Sequence, residues 1–600
     1  AEDLIISAEN LYNPSGAPVR ALDRGRLGFG PFEATQELTT FRLVTGLGGK
    51  FSERFGPLNG FRWELAYQHA RSQGVLTQQG LLQRSRLSAA VGPSFIDPDT
   101  GEATCGTPSD PIEDCVPLNL FGGQEGITAE MAEFLRFEGI SRGSLRQTSV
   151  TAHLVGELFK LTPDASAASL AVGYEHRRQA GAYVPDPLAA KGDALWLREA
   201  AGEGRFYVNE AYAELSVPVL GTLDPAKGTR RDMLKVNGAA RVYRYNTFGT
   251  DFAYLLGTRL GVIPDVTVRA AHSRDFRSPT AAAVSQGQLS TVRRMRDPCS
   301  APRPGILRVQ GTSVDEVCDA QGVPDDLYDA RVAQQVLVGG NPALEPETAS
   351  NFTVGLVLAP RFLNSFTASV DYSRLQVDRA IVRVGETLVV STCYPTWGSR
   401  SLFCDTIERN EQGLISAIRA PLRNEGTHVR SGVDLFLDYR PLTPLGLFGF
   451  NVDASWVLKS QLTLADGSLS LDNPPLYQLD DRTGLRAKVG VSWARSGLGI
   501  SARLHFVNGF RECTDNSCTL QEEDVPALPS RQVNDYYALD VSVAYAWQLK
   551  SGTATAQLGA TNVFDAAPAF IANGFTGISD PTLYSYRGRH FYLRLSYSYD

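Results

Sequence analysis

Along much of this chain apolar and polar side chains alternate one by one, not at the three-and-four spacing of a helix. From Phe591 onward, Phe591, Leu593, Leu595, Tyr597 and Tyr599 share one parity, while Tyr592, Arg594, Ser596 and Ser598 share the other. A period of two is that of a strand, whose successive side chains point to opposite faces. The same pattern sets Leu485, Ala487, Val489, Val491 and Trp493 against Arg486, Lys488, Gly490 and Ser492. It sets Tyr537, Leu539, Val541, Val543, Tyr545 and Trp547 against Ala538, Asp540, Ser542, Ala544 and Ala546. Near residue 211, Ala211, Ala213, Leu215 and Val217 oppose Glu210, Tyr212 and Glu214. One face is apolar and the other small or polar, which suits a membrane wall with lipid outside and a wet lumen inside.

Read through the chain, the alternation predicts about seventeen strands. They lie near 37–48, 61–73, 147–160, 168–180, 205–218, 232–246, 249–262, 265–277 and 348–360. The rest lie near 364–382, 426–440, 446–460, 482–496, 498–509, 535–550, 554–563 and 589–600. Residues 1–36 are turn-rich without a sustained period and are expected to be an extracellular loop, with the barrel occupying 37–600. One short helix is expected at 128–137, as a small lid or a packed loop helix. Short connections, such as those at Leu161, after Val262 and after Arg495, alternate with long, mostly cysteine-bearing ones. The expected fold is therefore all-β: a large antiparallel transmembrane barrel with short periplasmic turns and long outer loops. A soluble sandwich or propeller would also alternate, but would rarely keep such long strands with all long loops on one side.

An odd count has a consequence. Bacterial single-chain barrels close with an even strand number, because an unpaired edge in lipid leaves backbone groups unsatisfied. The chain is thus expected to start in an outer loop of a larger barrel. If that barrel has about 22 strands, about five precede this chain, and residues 589–600 should carry an open edge.

Composition adds exclusions. With 43% hydrophobic and 20% charged residues the chain is not disordered, and no apolar run is long enough for a spanning helix. Ala1 is not followed by the basic stretch and apolar core of a leader, so either the leader has been removed or the chain starts late. Fifty-seven basic against 65 acidic residues, with no basic block, give nucleic acid no footing. The eight cysteines fall as near neighbours in polar loops: Cys105 with Cys115, Cys299 with Cys318, Cys393 with Cys404, and Cys513 with Cys518. Disulfides in an oxidising compartment are expected. Spacing alone leaves about 105 pairings, of which neighbour pairing within each loop is the simplest. Zinc is disfavoured because CxxC spacing and accompanying histidines are missing.

Candidate chemistry is sparse. His69, His153, His176, His272, His428, His505 and His590 are scattered one to a segment, without a catalytic motif. Glu210 and Glu214 share a wet face but read as lumen wall, and no enzyme activity, cofactor or metal is expected. The acidic stretches 97–102 and 108–115 supply oxygen ligands for calcium but lack EF-hand spacing, so solvated loop is the simpler reading. Trp63, Tyr67, Trp456, Trp493, Tyr545 and Trp547 are expected in interfacial girdles.

Several stretches resemble the TonB-dependent receptors of the bacterial outer membrane. TNVFDAAP at 561–568 followed by DPTLYSYRGRHFYLRLSY at 580–597 is similar to that family's closing motif, carried by Asn562, Phe564, Asp565, Gly588 and Arg589. GNPALEPETASNFTVGL at 340–356 resembles its GNP-L-PE signature, with Gly340, Asn341, Pro342 and Glu347. SRDFRSPT at 273–280, ENLYNPSG at 9–16 and CVPLNLFGG at 115–123 resemble further family elements in the family's order. The ending departs from the usual final Phe, since Tyr599 precedes Asp600. The resemblance implies a 22-stranded barrel filled by a plug whose TonB box is pulled by the TonB complex. Neither plug nor box is recognisable in this sequence, which is expected to be the C-terminal barrel portion. The implied function is binding of a scarce siderophore, vitamin or oligosaccharide at the outer face and its energised import. Contacts are expected from Ser273–Thr280 and the four cysteine loops, and no motif singles out ligand residues. A passive porin-like channel or adhesin, and a secreted β-rich glycan hydrolase, are the rival readings.

Overall fold

The computed structural model describes all residues except 1–4, 21–28, 124–125, 196, 225–228, 281–282, 285–288, 295–296, 301–313, 325–326, 328–332, 395–402, 464–469, 473–483, 514–529, 572–578 and 600. Seventeen long strands form the wall. They begin with β1 (Glu33–Lys50), β2 (Arg62–Leu82), β3 (Arg136–Glu157), β4 (Ser169–Val184), β5 (Gly202–Asp224) and β6 (Thr229–Tyr245). Then follow β7 (Gly249–Ile263), β8 (Val266–Arg277), β9 (Glu347–Leu358), β10 (Phe366–Asp378), β11 (Thr427–Tyr439) and β12 (Gly446–Thr463). The last are β13 (Leu485–Arg495), β14 (Leu498–Val507), β15 (Tyr536–Leu549), β16 (Gly552–Thr561) and β17 (His590–Tyr599). Each pairs antiparallel with the next in chain order, and the sheet curls into a barrel. No helix is long and apolar enough to cross a membrane.

Sixteen successive reversals leave β1 and β17 running in the same direction. Among the described residues no ladder joins them: β1 pairs with β2, and β17 pairs with β16.

The alternation has the physical meaning read from the sequence. On β5, Arg205 and Tyr207 are exposed on the outside of the wall, whereas Val208 and Glu210 are buried on the inside. The outer faces carry an exposed apolar band, including Leu65, Leu215, Leu256, Val491 and Leu593, as lipid contact requires. On the inner face, small residues give room to a larger side chain from the neighbouring strand. A Cβ on Gly173 would meet the Tyr212 ring, and one on Gly559 would meet Tyr592. At Gly355 the neighbour is an ion pair: Arg269 donates to Asp371 through Nε at 2.7 Å and Nη2 at 2.6 Å, and a Cβ would fall 1.9 Å from Asp371 Oδ1. Because Arg269, Gly355 and Asp371 stand in register on β8, β9 and β10, the pair bridges three strands.

Strand lengths depart from the sequence reading, which expected 61–73 and 147–160 for two strands that run from Arg62 to Leu82 and from Arg136 to Glu157. Residues 74–82 and 136–146 continue this hairpin beyond the lipid. One end of this extension packs under the first cap, where Leu81, Leu82 and Ser141 are buried, so no lipid face imposes an apolar parity and the sequence signal fades. The expected helix is Ala129–Leu135, N-capped by Thr128, whose Oγ1 accepts from the Met131 amide at 3.2 Å.

The long connections fold into three caps, each with its own apolar core. The first buries Ile6, Phe29, Leu87, Leu118, Met131 and Leu135, so the expected helix is packed and not a free lid. The second, from the connections on either side of β9 and β10, is built on a small sheet of Leu289–Arg294, Ala333–Gly339, Ile415–Asn424 and Ile381–Arg383, with Ile407–Arg409 paired alongside. The third packs Phe510, Val533, Tyr536, Ile571 and Tyr584.

Candidate ligand face

The second cap is organised around a buried guanidinium. Arg409 is 7% exposed and Asp297 fully buried. Arg409 donates from Nη1 and Nη2 to the two Asp297 oxygens at 2.7 and 2.9 Å, from Nη2 to Tyr394 Oη at 2.7 Å, and from Nη1 to the Gly413 carbonyl at 2.7 Å. Its Nε donates to Gln321 Oε1 at 2.9 Å. All five N–H groups are thus used. Burial opposes the charge, but the bonds to Asp297 and Tyr394 outweigh it and raise the Arg409 pKa; burial pushes the Tyr394 phenol up. Disulfides join Cys299 to Cys318 and Cys393 to Cys404 in the same core. Two loops far apart in sequence are thereby held as one body.

In the first cap, Cys105 is joined to Cys115. Asn10 donates to the Ala90 and Gly92 carbonyls at 3.3 and 2.9 Å, and the Leu118 amide donates to the Ala90 carbonyl at 2.9 Å. The stretches 9–16 and 115–123 therefore meet on one short segment. Asp193, from the β4–β5 connection, accepts from Gln83 Nε2 and from the Ser85 amide at 2.8 Å each, and from Ser85 Oγ at 2.9 Å. Partial burial raises this carboxyl, but the bonds from Gln83 and Ser85 together hold it below its ordinary value. The acidic stretch 97–102 closes a hairpin between Ser94–Ile96 and Ala103–Thr107, and Asp97 accepts from the Asp99 amide at 2.8 Å.

Below the caps, the inner wall of β5–β8 carries a recess of about 330 Å³ lined by the acids Glu210, Glu214 and Asp275, by Arg241, and by aromatic rings including Tyr212, Tyr243, Tyr245 and Phe276. Glu210 is held between Arg177 at 3.2 Å and Arg241 at 2.9 Å. The Arg241 guanidinium lies 5.0 Å from the Tyr212 ring centroid, a cation–π distance. Tyr212 also hydrogen-bonds His153. Above them an aromatic cluster rises to the rim, with Tyr243 and Phe276 at 4.3 Å, Tyr245 and Phe248 at 4.4 Å, and Phe248 and Phe276 at 5.4 Å between centroids. The Tyr243 hydroxyl is buried with no hydrogen-bond partner, an energetic cost unless something supplies one. Glu210 was legible in the sequence as wet wall, but Arg177 comes from β4 and Arg241, Tyr243 and Tyr245 come from β6, and no spacing announces them.

The family-motif residues gather at strand–loop junctions. Asn562 and Asp565 have positive φ, at 49° and 54°. Asn562 exchanges side-chain bonds with Ala566, donating to its carbonyl and accepting from its amide, both at 2.9 Å. Asp565 Oδ1 accepts from the Arg589 amide at 2.7 Å, so the motif ties together the two ends of the β16–β17 loop. Gly588, at φ 61°, stands where a Cβ would lie 2.9 Å from that same oxygen. Phe564 is exposed. In the other motif, Asn341 donates to the Leu422 carbonyl and accepts from the Ala343 amide, both at 2.9 Å. Glu347 is buried, accepts from the Ile381 amide at 2.6 Å and pairs with Arg277. Gly340 and Pro342 stand on either side of Asn341, which fixes the turn into β9. Within Ser273–Thr280, Ser273 is buried and donates to Asp275 at 2.6 Å.

The remaining candidates are dispersed. His69, His153, His176, His272, His428 and His505 each bond a different neighbour, His505 meeting Asp540 at 2.9 Å. No group of three or more potential metal ligands occurs among the described residues. Cys518 and the Cys513 side chain lie outside the described residues. Trp63, Tyr67, Trp456, Tyr545 and Trp547 are exposed on the wall, while Trp493 is partly covered and donates to the Leu445 carbonyl at 2.9 Å.

With this geometry in place, the chain can be set beside known proteins. No curated protein matches it. Among solved structures it is similar to the siderophore receptor PirA from Acinetobacter baumannii, at 15% identity and a TM-score of 0.52, covering 93% of this chain and 62% of that one. It is also similar to a doubly substituted ferric enterobactin receptor, PfeA, from Pseudomonas aeruginosa, at 14% identity and a TM-score of 0.50, covering 93% and 67%. At such identities the likeness is one of fold, and the chain spans about three-fifths of the PirA chain's length. The family described as TonB dependent receptor-like, beta-barrel, matches residues 8–563. A match over nearly the whole length, on a seventeen-stranded wall whose motif residues close its loops, means that this chain belongs to the TonB-dependent receptors.

Proposed function

We propose that this chain is the barrel of an outer-membrane receptor that captures a scarce extracellular ligand of the siderophore class and delivers it to the periplasm on TonB-transmitted energy, together with a plug domain. The observation that carries the reading is the recess on β5–β8. It offers a guanidinium held by Glu210, a bank of aromatic rings and the unpartnered Tyr243 hydroxyl, just inside the rim and under the disulfide-braced caps. Such a surface suits a compact ligand with aromatic or hydroxylated groups, because cation–π contact, stacking and one hydrogen bond are on offer together beside the carboxylates of Glu210, Glu214 and Asp275. The receptor character of the family and of its structural relatives supports transport over catalysis. A 22-stranded complete barrel and TonB coupling belong to the same reading.

Fluorescence titration of the detergent-solubilised barrel with ferric catecholates, ferric hydroxamates, cobalamin and neutral oligosaccharides tests it. Saturable binding of a ferric siderophore, weakened about tenfold or more by Arg241→Ala or Tyr243→Ala, is expected. Binding of cobalamin or an oligosaccharide alone would move the ligand class. Free passage of small solutes through liposomes by the plug-bearing receptor, with no ligand bound, would favour a passive pore and overturn the proposal.

A further inference from the structure

The outside of the wall carries a second feature, unrelated to the lumen. Arg71 on β2 stands directly opposite Arg146 on β3, Arg146 opposite Ala180 on β4, and Ala180 opposite Arg205 on β5. All three arginines are exposed. Their parity is that of the lipid face: Arg71 continues the row Trp63, Leu65, Tyr67 along β2, and Arg205 follows the exposed Tyr207 on β5. Small residues at Ala180, Gly181, Ala182 and Gly204 leave a recess of about 530 Å³ bounded by the three guanidiniums and Glu203.

Two like charges facing each other across an antiparallel pair repel. Elsewhere on this wall an arginine meets an acid, as Arg269 meets Asp371 and Arg274 meets Asp251. Among the described residues, none of Arg71, Arg146 and Arg205 forms an ion pair or a side-chain hydrogen bond. The height of the row is marked by aromatic side chains. Phe41 on β1 lies opposite Arg71 and is exposed, and Tyr67 is four residues toward the lipid band. Exposed aromatics of this kind mark the membrane–water interface. The end in question is that of the long connections, hence the outer leaflet.

We propose that this row binds the phosphate of a phosphorylated lipid in the outer leaflet. Guanidinium forks match phosphate oxygens in pairs. Strand spacing of about 4.8 Å puts Arg146 and Arg205 roughly 10 Å apart across Ala180, leaving a gap in which one phosphate reaches both sides. The acyl chains of the same molecule would run down the apolar band below Phe41 and Tyr67. That position commits the site to a lipid and not to a soluble anion. The proposal does not depend on what the lumen transports.

Native mass spectrometry of the detergent-solubilised protein tests it, with diphosphorylated lipid A, its dephosphorylated counterpart and inorganic phosphate as probes. The parent protein is expected to retain the diphosphorylated lipid, to lose about tenfold or more of that binding in Arg71→Gln/Arg146→Gln/Arg205→Gln, and to ignore the dephosphorylated form. If the triple variant fails to assemble, Arg146→Gln alone removes the middle of the row and should lower retention about threefold. Equal binding by the variant, equal binding of the dephosphorylated lipid, or displacement of the lipid by millimolar inorganic phosphate would each overturn the proposal.

Discussion

Replacing Asp297 by alanine should loosen the second cap without touching the wall. The carboxylate is fully buried and takes two of the six hydrogen bonds of an arginine that is itself 7% exposed. Removing one partner of a buried pair costs about 3–5 kcal/mol, because the surviving charge stays desolvated. At about 1.4 kcal/mol per decade, the open population of the cap rises by roughly two to three and a half decades. The Cys299–Cys318 and Cys393–Cys404 bridges remain, so the gain appears as local opening and not as loss of the barrel. Limited proteolysis reads that population when opening and closing are fast relative to cleavage, and cleavage should fall in the connections before β9 and after β10, between 289 and 346 or between 379 and 424. Asp297→Ala combined with Arg409→Met removes both charges, and should recover most of the resistance. Cleavage of Asp297→Ala within about threefold of the parent, or a double variant no better than the single one, would refute the keystone role.

Other expectations follow from the same geometry. Asp193 has a folded pKa below its free value of 3.8; its contribution is therefore complete above that value and is lost as pH falls through the folded pKa. Exchange of the Ser85 amide should accelerate only in that acid range, and Asp193→Asn should remove the pH dependence. Gly588→Ala forces a Cβ at φ 61° to within 2.9 Å of Asp565 Oδ1; a cost of about 1–2 kcal/mol should speed exchange of the Arg589 amide about tenfold. Gly355→Ala places a methyl 1.9 Å from Asp371 Oδ1 and should displace the Arg269–Asp371 pair. The expected cost is about 1–3 kcal/mol, read as a lower yield of heat-modifiable, assembled barrel on gels.

The wall was legible because lipid on one face and water on the other leave a period-two record that no soluble domain needs to keep so long. It faded where that asymmetry ends, as in 74–82 and 136–146, although these residues extend the same hairpin. The recess was not legible, for a different reason. Arg177, Glu210, Arg241, Tyr243 and Phe276 belong to four strands, and only the register brings them together. Arg177, Glu210, Arg241 and Tyr243 each sit in the polar-or-small parity of their own strand, where an arginine or tyrosine reads as unremarkable wall. The buried Arg409 was hidden for the same reason, since its partners Asp297, Gln321 and Tyr394 come from separate loop segments.

The motif residues sharpen where specificity lies. Asp565 accepts from Arg589 across the mouth of a loop, Asn562 bonds Ala566 within it, and Asn341 and Glu347 bond the backbone of neighbouring segments. Their hydrogen-bonding capacity is spent on holding strand ends, so a ligand would have to break those bonds to use them. The recess differs: Glu210 is saturated by two arginines, but the Tyr243 hydroxyl has no partner, and Tyr243, Tyr245 and Phe276 line the recess. A receptor that keeps one fold while changing ligands needs this division, because residues committed to loop closure cannot vary without loosening the loop, whereas wall residues between them can. Exchanging Tyr243 for phenylalanine should then leave barrel assembly unchanged, since the hydroxyl bonds nothing in the unliganded wall, while weakening ligand binding by the roughly 0.5–1.5 kcal/mol of one hydrogen bond. A Tyr243→Phe barrel with unaltered affinity for every ferric siderophore tried would remove the recess from the binding face.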